Sequence, residues 1–164
     1  MLNVILAEAA LEPIPKSLRK EKLIVNQCRR LGRSIDQILL DVSLHHAVMK
    51  KLRDKDKRGR PDIVHFCLLN LLGSPVCSEG HLNVYVHTVN NEVIFVNSNV
   101  RLPKNYNRFV GLMAKLFREK VIETPEGEVL LKLEKMSIKN LINKINSGLV
   151  ILLSEEGENI SIQG

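Results

Sequence analysis

Residues 82–96 read LNVYVHTVNNEVIFV, and this stretch decides the kind of fold. Leu82–Thr88 alternates apolar and polar side chains, the two-residue period of a half-buried strand, and Glu92–Val96 is a second β-rich run. Asn90 and Asn91 lie between them, and asparagine tolerates positive φ, so the two runs predict an antiparallel hairpin. On either side the period changes to that of a helix. Upstream, Pro61 opens a run in which Ile63, Phe66, Cys67, Asn70 and Leu71 recur at helical spacing until Gly73-Ser74-Pro75 stops it. Downstream, Asn105–Lys120 is amphipathic, with Phe109, Leu112, Met113, Leu116 and Phe117 on one face.

Further out the alternation continues. Asn3–Ala7 predicts a short strand followed by a turn at Pro13 and Pro15, Lys22–Leu31 a polar helix ending near Gly32, and Ile38–Asp41 a short buried strand. Another helix starts near Ser43 and runs into a basic block that Gly59 ends. Toward the C-terminus, Glu128–Leu133 predicts a strand, and Ser137 is the N-cap of a helix over Ile138–Asn146 that Gly148 closes. Leu149–Leu153 (LVILL) has the fully apolar character of a strand buried on both faces. The class is therefore α/β with an antiparallel hairpin added, in a single domain over 1–164 without repeat or linker. Ser154–Gly164 opens a loop after the LVILL run, and open α/β sheets bind ligands beyond the carboxyl ends of their strands.

Hydrophobic residues at 45% are enough for a real core, and with 4% aromatics that core must be mostly Leu, Ile and Val. The net charge of +6 is unevenly placed. Lys50–Arg60 (KKLRDKDKRGR) carries +5 and Arg101–Lys120 another +5, which leaves −4 for the rest of the chain. Focused basicity of this kind points to an RNA-facing patch. Cys28, Cys67 and Cys77 show no C-x-x-C spacing, so neither a disulfide framework nor a zinc site is expected, and the chain reads as cytoplasmic. No apolar run approaches a membrane span, and the opening MLNVILAEAALEPIP lacks the basic start of a signal peptide.

Two constellations carry the functional reading. In Arg58-Gly59-Arg60-Pro61-Asp62, Arg60 precedes a helix, and Asp62 could hold its guanidinium in one orientation against a base or phosphate. The plainer possibility is that Asp62 complements the helix N-terminus while Arg60 is a solvated charge, and the two roles of Asp62 are compatible. In Arg101-Leu102-Pro103-Lys104-Asn105-Tyr106-Asn107-Arg108, three cations gather at a helix entrance beside free backbone N–H groups, a phosphate-binding arrangement, against the alternative of an ordinary basic solvent face. The five histidines show no metal-ligand spacing, and His65, on a largely apolar helix, reads as a core residue. There is no P-loop, G-x-S-x-G or G-x-G-x-x-G, and no nucleophile with a partner. Chemistry here would come from positioning an activated cofactor against a nucleic-acid base.

The run RGRPDIVHFCLLNLLGSPV, followed by LNVYVHTVNNEVIFVNSNVRLPKNYNRFVGLM, closely resembles the ribosome-biogenesis pseudouridine N1-methyltransferases, SPOUT-class enzymes with a trefoil-knotted α/β fold. NVILAEAALEPIP and LLDVSLHHAVMKKL join the match, which covers nearly the whole chain. The resemblance implies a homodimeric enzyme that uses S-adenosylmethionine to methylate a pseudouridine in small-subunit rRNA. It implies rRNA contacts for Arg60, Arg101 and Arg108, with Asp62 steadying Arg60. Lys104 stands where the family usually has arginine, and it keeps the charge while losing the planar fork. The family pattern continues beyond the point matched by Gly164 with a glycine-rich loop and further strand and helix that form the knot and the cofactor site. The expectation is therefore that Leu153–Gly157 matches only the first cofactor-side loop, leaving the knot and the S-adenosylmethionine site incomplete within 1–164. A non-catalytic rRNA-binding assembly factor is the alternative function.

Overall fold

In the computed structural model, which describes residues 1–159, five strands form one sheet. They are β1 (Leu2–Ala9), β2 (Leu82–Thr88), β3 (Glu92–Val96), β4 (Val121–Glu123) and β5 (Val129–Lys135), in the spatial order β1-β2-β3-β5-β4. β1 pairs parallel with β2, and the remaining pairs are antiparallel. The hairpin expected at 82–96 is present, with Tyr85 opposite Phe95. Asn91 takes the left-handed conformation at φ 55°, and the Thr88 hydroxyl accepts from the backbone N–H groups of Asn90 and Glu92.

Helices α1 (Lys22–Leu31), α2 (Val42–Met49), α3 (Pro61–Leu72), α4 (Pro75–Ser78), α5 (Tyr106–Glu119) and α6 (Ile138–Ile145) complete the α/β layers. The main core joins the sheet (Val84, Val86, Ile94, Leu131) to Leu68 of α3 and to Phe109, Met113 and Leu116 of α5. Phe109, Met113 and Leu116 are wholly buried, and burying a side chain of this kind contributes about 1.5–3 kcal/mol. A second cluster, including Ile14, Ile24, Leu40 and Met49, lies under α1 and α2. No described helix is long and apolar enough to cross a membrane.

Four expectations need correction. Ile38–Asp41 is buried but is no strand: Leu39 makes a single bridge to Pro13, and the prolines at 13 and 15 cannot donate to a longer ladder. The helix after Ser43 stops at Met49 and does not run into the basic block. The chain must double back, because the Gly59 carbonyl accepts from the Val42 N–H at the start of α2, and a turn through left-handed Asp54 makes the return. α6 is closed by left-handed Asn146 and not by Gly148. Leu149–Leu153 is exposed and forms no strand, with Leu153 90% accessible, and no described strand pairs with it. The hairpin of β4 with β5 has no clear sequence signal, since three residues directly after a helix give no period. Residues 160–164 of the expected terminal loop lie outside the described residues.

Candidate RNA-binding site

The site grows from the carboxyl ends of the parallel pair β1 and β2, where the chain leaves the sheet. There the Ala10 carbonyl accepts from the Arg60 N–H (2.9 Å), and Ala9 accepts from Val89 N–H (3.1 Å). Gly59 must be glycine: its φ is +71°, and a Cβ would sit 3.0 Å from the Met49 methyl and 3.1 Å from the Val42 nitrogen. Arg58, just before it, points inward. Its Nε and one terminal nitrogen donate to the two carboxylate oxygens of Glu12 at 2.6 and 2.8 Å, and Glu12 also accepts from the Asn90 amide. With Glu12 2% exposed, this is a buried bidentate ion pair that fastens the loop to the segment after β1.

Arg60 points outward. It occupies the N-cap position of α3, with Pro61 as the first helical residue, and its guanidinium makes two parallel 2.9 Å hydrogen bonds to Asp62. The pair is about half exposed, which leaves the outer edge of the guanidinium open to a ligand. The Arg60 guanidinium holds the Asp62 carboxyl below its usual range, and the Ile63 and Asp62 backbone N–H groups push in the same direction. Asp62 thus meets Arg60 with both carboxylate oxygens and supplies the acidic residue in the first turn of α3.

Arg101, Lys104 and Arg108 lie around the start of α5, all exposed. Asn105 caps the helix by accepting from the Arg108 backbone N–H (3.0 Å). The structure brings this entrance beside the entrance of α3. His65, on α3, is buried; its Nε2 lies 2.7 Å from the Pro103 carbonyl, and because a carbonyl only accepts, the ring nitrogen donates. The same ring stacks on Phe109 at 4.3 Å. Tyr106 donates from its hydroxyl to Oδ2 of Asp41 at 2.5 Å, and burial and the Asp41 carboxylate push that hydroxyl well above the ordinary tyrosine range. Asp41 in turn caps α2, its Oδ1 accepting from the Ser43 N–H and hydroxyl. Its backbone N–H donates to Nδ1 of His45, whose Nε2 bonds to Gln27 on α1.

Sequence reasoning names the exposed cations and misses the groups behind them. Asp41 carries a signal, an aspartate just before a helical run, that marks an N-cap. Glu12, Arg58 and Tyr106 carry none, since their partners are 46 or more residues away.

The described residues do not by themselves fit S-adenosylmethionine, which needs a concave pocket for adenine and a charged tail. A depression of about 490 Å³ on the sheet and α6, by Tyr85, Phe95, Lys132 and Lys144, is open, while Leu153–Gly157 is exposed along its length.

The EMG1/NEP1 methyltransferase family model matches residues 4–164. The chain is 51% identical over 158 residues to the Thermococcus kodakarensis protein named ribosomal RNA small subunit methyltransferase Nep1, covering 96% of this chain and 71% of that protein. The Staphylothermus marinus protein of the same name is 49% identical over 157 residues, covering 96% and 68%. A crystal structure of Archaeoglobus fulgidus Nep1 bound to S-adenosylhomocysteine superposes with a TM-score of 0.77 at 46% identity, over 84% of this chain. The chain spans 62% of that solved chain's length, less than two thirds. On the match of nearly its whole length, the chain belongs to the EMG1/NEP1 methyltransferase family.

Proposed function

We propose that this chain is the RNA-positioning body of an enzyme that methylates N1 of a pseudouridine in small-subunit rRNA during ribosome biogenesis. The observation that carries the reading is the pairing of the Arg60–Asp62 fork with Arg101, Lys104 and Arg108 at two adjacent helix entrances, in a chain whose relatives are named small-subunit rRNA methyltransferases. S-adenosylhomocysteine is what remains of S-adenosylmethionine after methyl transfer, so S-adenosylmethionine is the methyl donor in this reading and supplies a methyl on a sulfonium.

The chain's own work is orientation. Arg60, fixed by Asp62, offers a planar fork to a base edge or phosphate, and Arg101, Lys104 and Arg108 hold the backbone on either side of the target. Holding the base unstacked and in line removes most of the entropy barrier to attack at a methyl. A homodimer working in the cytoplasm belongs to the same reading.

Pseudouridine is joined to its sugar through carbon and keeps a hydrogen on N1, whereas uridine carries its sugar there. The test incubates the full-length protein with methyl-labelled S-adenosylmethionine and paired small-subunit rRNA fragments bearing pseudouridine or uridine. Label is expected in the pseudouridine fragment alone. Label on both overturns the N1 assignment, and tight binding without label leaves the non-catalytic assembly factor.

A further inference from the structure

Arg60 and the Arg101–Arg108 set stand at the entrances of different helices some 40 residues apart in sequence, yet an RNA backbone can meet both only if their spacing is fixed. Among the described residues, two side-chain hydrogen bonds tie the Arg101–Arg108 segment to the elements around Arg60. One runs from His65, on the first turns of α3, to the Pro103 carbonyl, which lies between Arg101 and Lys104. The other runs from the Tyr106 hydroxyl, two residues before Arg108, to Asp41 at the start of α2. Val42, the residue after Asp41, donates its N–H to the carbonyl of Gly59, the residue before Arg60 (2.8 Å), so this second tie ends beside the backbone that carries the fork. Both ties are sheltered: His65 and Asp41 are buried and His65 is braced on wholly buried Phe109. A core histidine needs only some acceptor, and a half-buried tyrosine is commonly left to water; here each bonds to the segment that carries, or underlies, an exposed cation.

We propose that His65 and Tyr106 are positioning residues that set the spacing between Arg60 and the Arg101, Lys104 and Arg108 cations, so that one RNA is gripped at both helix entrances at once. The inference rests on the RNA reading of the site. Neither residue touches the RNA. Loss of a tie frees the α5 entrance to move relative to Arg60, and each cation set still attracts phosphate while the two no longer select the same RNA geometry.

The test uses the full-length protein and two labelled probes, a small-subunit rRNA stem–loop selected for tightest binding and the same stem with a scrambled loop. Tyr106→Phe keeps the ring and removes one hydroxyl; His65→Leu removes the donor, and His65→Gln restores an amide N–H that can reach the carbonyl. The selected loop is expected to bind roughly tenfold more weakly to Tyr106→Phe and to His65→Leu, with the scrambled loop changed less than about twofold. His65→Gln is expected to recover most of the loss. In a double-mutant cycle, Arg60→Ala and Arg108→Ala are coupled in the wild type and additive in the Tyr106→Phe background, a readout that a general loss of stability does not move. Equal losses for the two probes, unchanged coupling, or unaltered binding by Tyr106→Phe overturns the proposal. Tyr106→Phe is so small a change that it decides the question by itself should His65→Leu fail to fold. Unaltered binding of the selected loop by Arg60→Ala in an otherwise wild-type protein is the separate result that brings down the RNA reading itself.

Discussion

Arg58 and Arg60 are two residues apart in one basic block, and the structure uses them in opposite ways. Arg58 turns into the protein and meets Glu12, with the pair 18% and 3% exposed at their side chains; Arg60 turns out and meets Asp62, with both about half exposed. Each pair is a bidentate fork, so geometry does not separate them. Burial does. A carboxylate that has left water needs its arginine, whereas an exposed one holds its arginine for something else to use. Gly59, in the left-handed conformation between them, is what lets the two side chains leave the backbone on opposite sides. A charge count along Lys50–Arg60 treats both arginines as exposed charge, and in the structure only Arg60 is about half exposed, with Arg58 turned onto Glu12.

The largest effect should come from breaking the buried pair. Arg58→Ala leaves the Glu12 side chain buried and short of its main donor, and is expected to cost about 3–5 kcal/mol of stability. For a domain of this size that is a fall of roughly 6–20 °C in Tm, measured by thermal unfolding. The double variant Arg58→Met with Glu12→Leu should regain most of it, since an apolar pair of similar volume removes the stranded charge. A loss under about 1 kcal/mol in Arg58→Ala would erase the contrast with Arg60.

Arg60→Ala should show the converse. It is expected to change stability by less than about 0.5 kcal/mol and to weaken the selected rRNA stem–loop by on the order of 1–3 kcal/mol, with a smaller loss on a scrambled loop. Asp62→Ala should reproduce a fraction of that binding loss, because the guanidinium remains but loses its fixed plane. Fluorescence anisotropy on the two RNAs, with unfolding curves alongside, reads both quantities. If Asp62→Ala altered only stability, its role would shrink to the helix terminus.

Acid offers a way to disturb one side of the loop and not the other. His45, wholly buried, supports Asp41 by accepting its backbone N–H, and burial lowers the imidazole pKa, with the Asp41 charge opposing less strongly. The unfolded chain therefore takes up a proton as pH falls through about 6.5, while the native imidazole resists. The stability present above that pH is progressively lost below it, down to the native pKa. No histidine lies in the Arg58–Glu12–Asn90 clamp. In unfolding curves at pH 7.5 and 5.5, His45→Gln is expected to lose less stability on acidification than the wild type. An identical pH dependence would remove His45 from the network's titration.

Much of the frame is legible because it depends on neighbours in sequence. The hairpin at 82–96, the capped helix after Ser137 and the Pro61 helix are set by local period, caps and turns, and they stand where those signals put them. The resemblance supplies Arg60, Asp62, Arg101, Lys104 and Arg108, and the structure gathers them at two adjoining helix entrances. The two strand errors share one cause. LVILL at 149–153 and ILLD at 38–41 both have the apolarity of a strand, but a strand exists only where another segment offers a ladder. Pro13, facing Leu39, has no N–H to extend one, and no described strand pairs with Leu149–Leu153. The Glu12–Arg58, Tyr106–Asp41 and His65–Pro103 contacts join residues 38 or more apart, and no local pattern encodes which distant partner a polar side chain will meet.

The smallest expected effect belongs to Lys55, and it tests whether the rest of the first basic block is held or merely charged. Lys55 lies in an exposed turn over Lys55–Lys57, beyond the two arginine forks and outside any ion pair among the described residues. A lysine of this kind attracts phosphate without regard to sequence, because a mobile ammonium on a flexible stem fixes no geometry. Lys55→Ala should therefore weaken the selected and scrambled loops alike, by less than about twofold near physiological salt. If the ammonium neutralises one phosphate, the slope of log affinity against log salt should also become shallower by roughly 0.7, the value for one contact to a single strand. Titrations of both RNAs at several salt concentrations measure this directly. Should Lys55→Ala discriminate between the two loops as strongly as Arg60→Ala, specificity would reside in the whole charged block, and orientation by Asp62 would no longer explain why Arg60 differs from its neighbours.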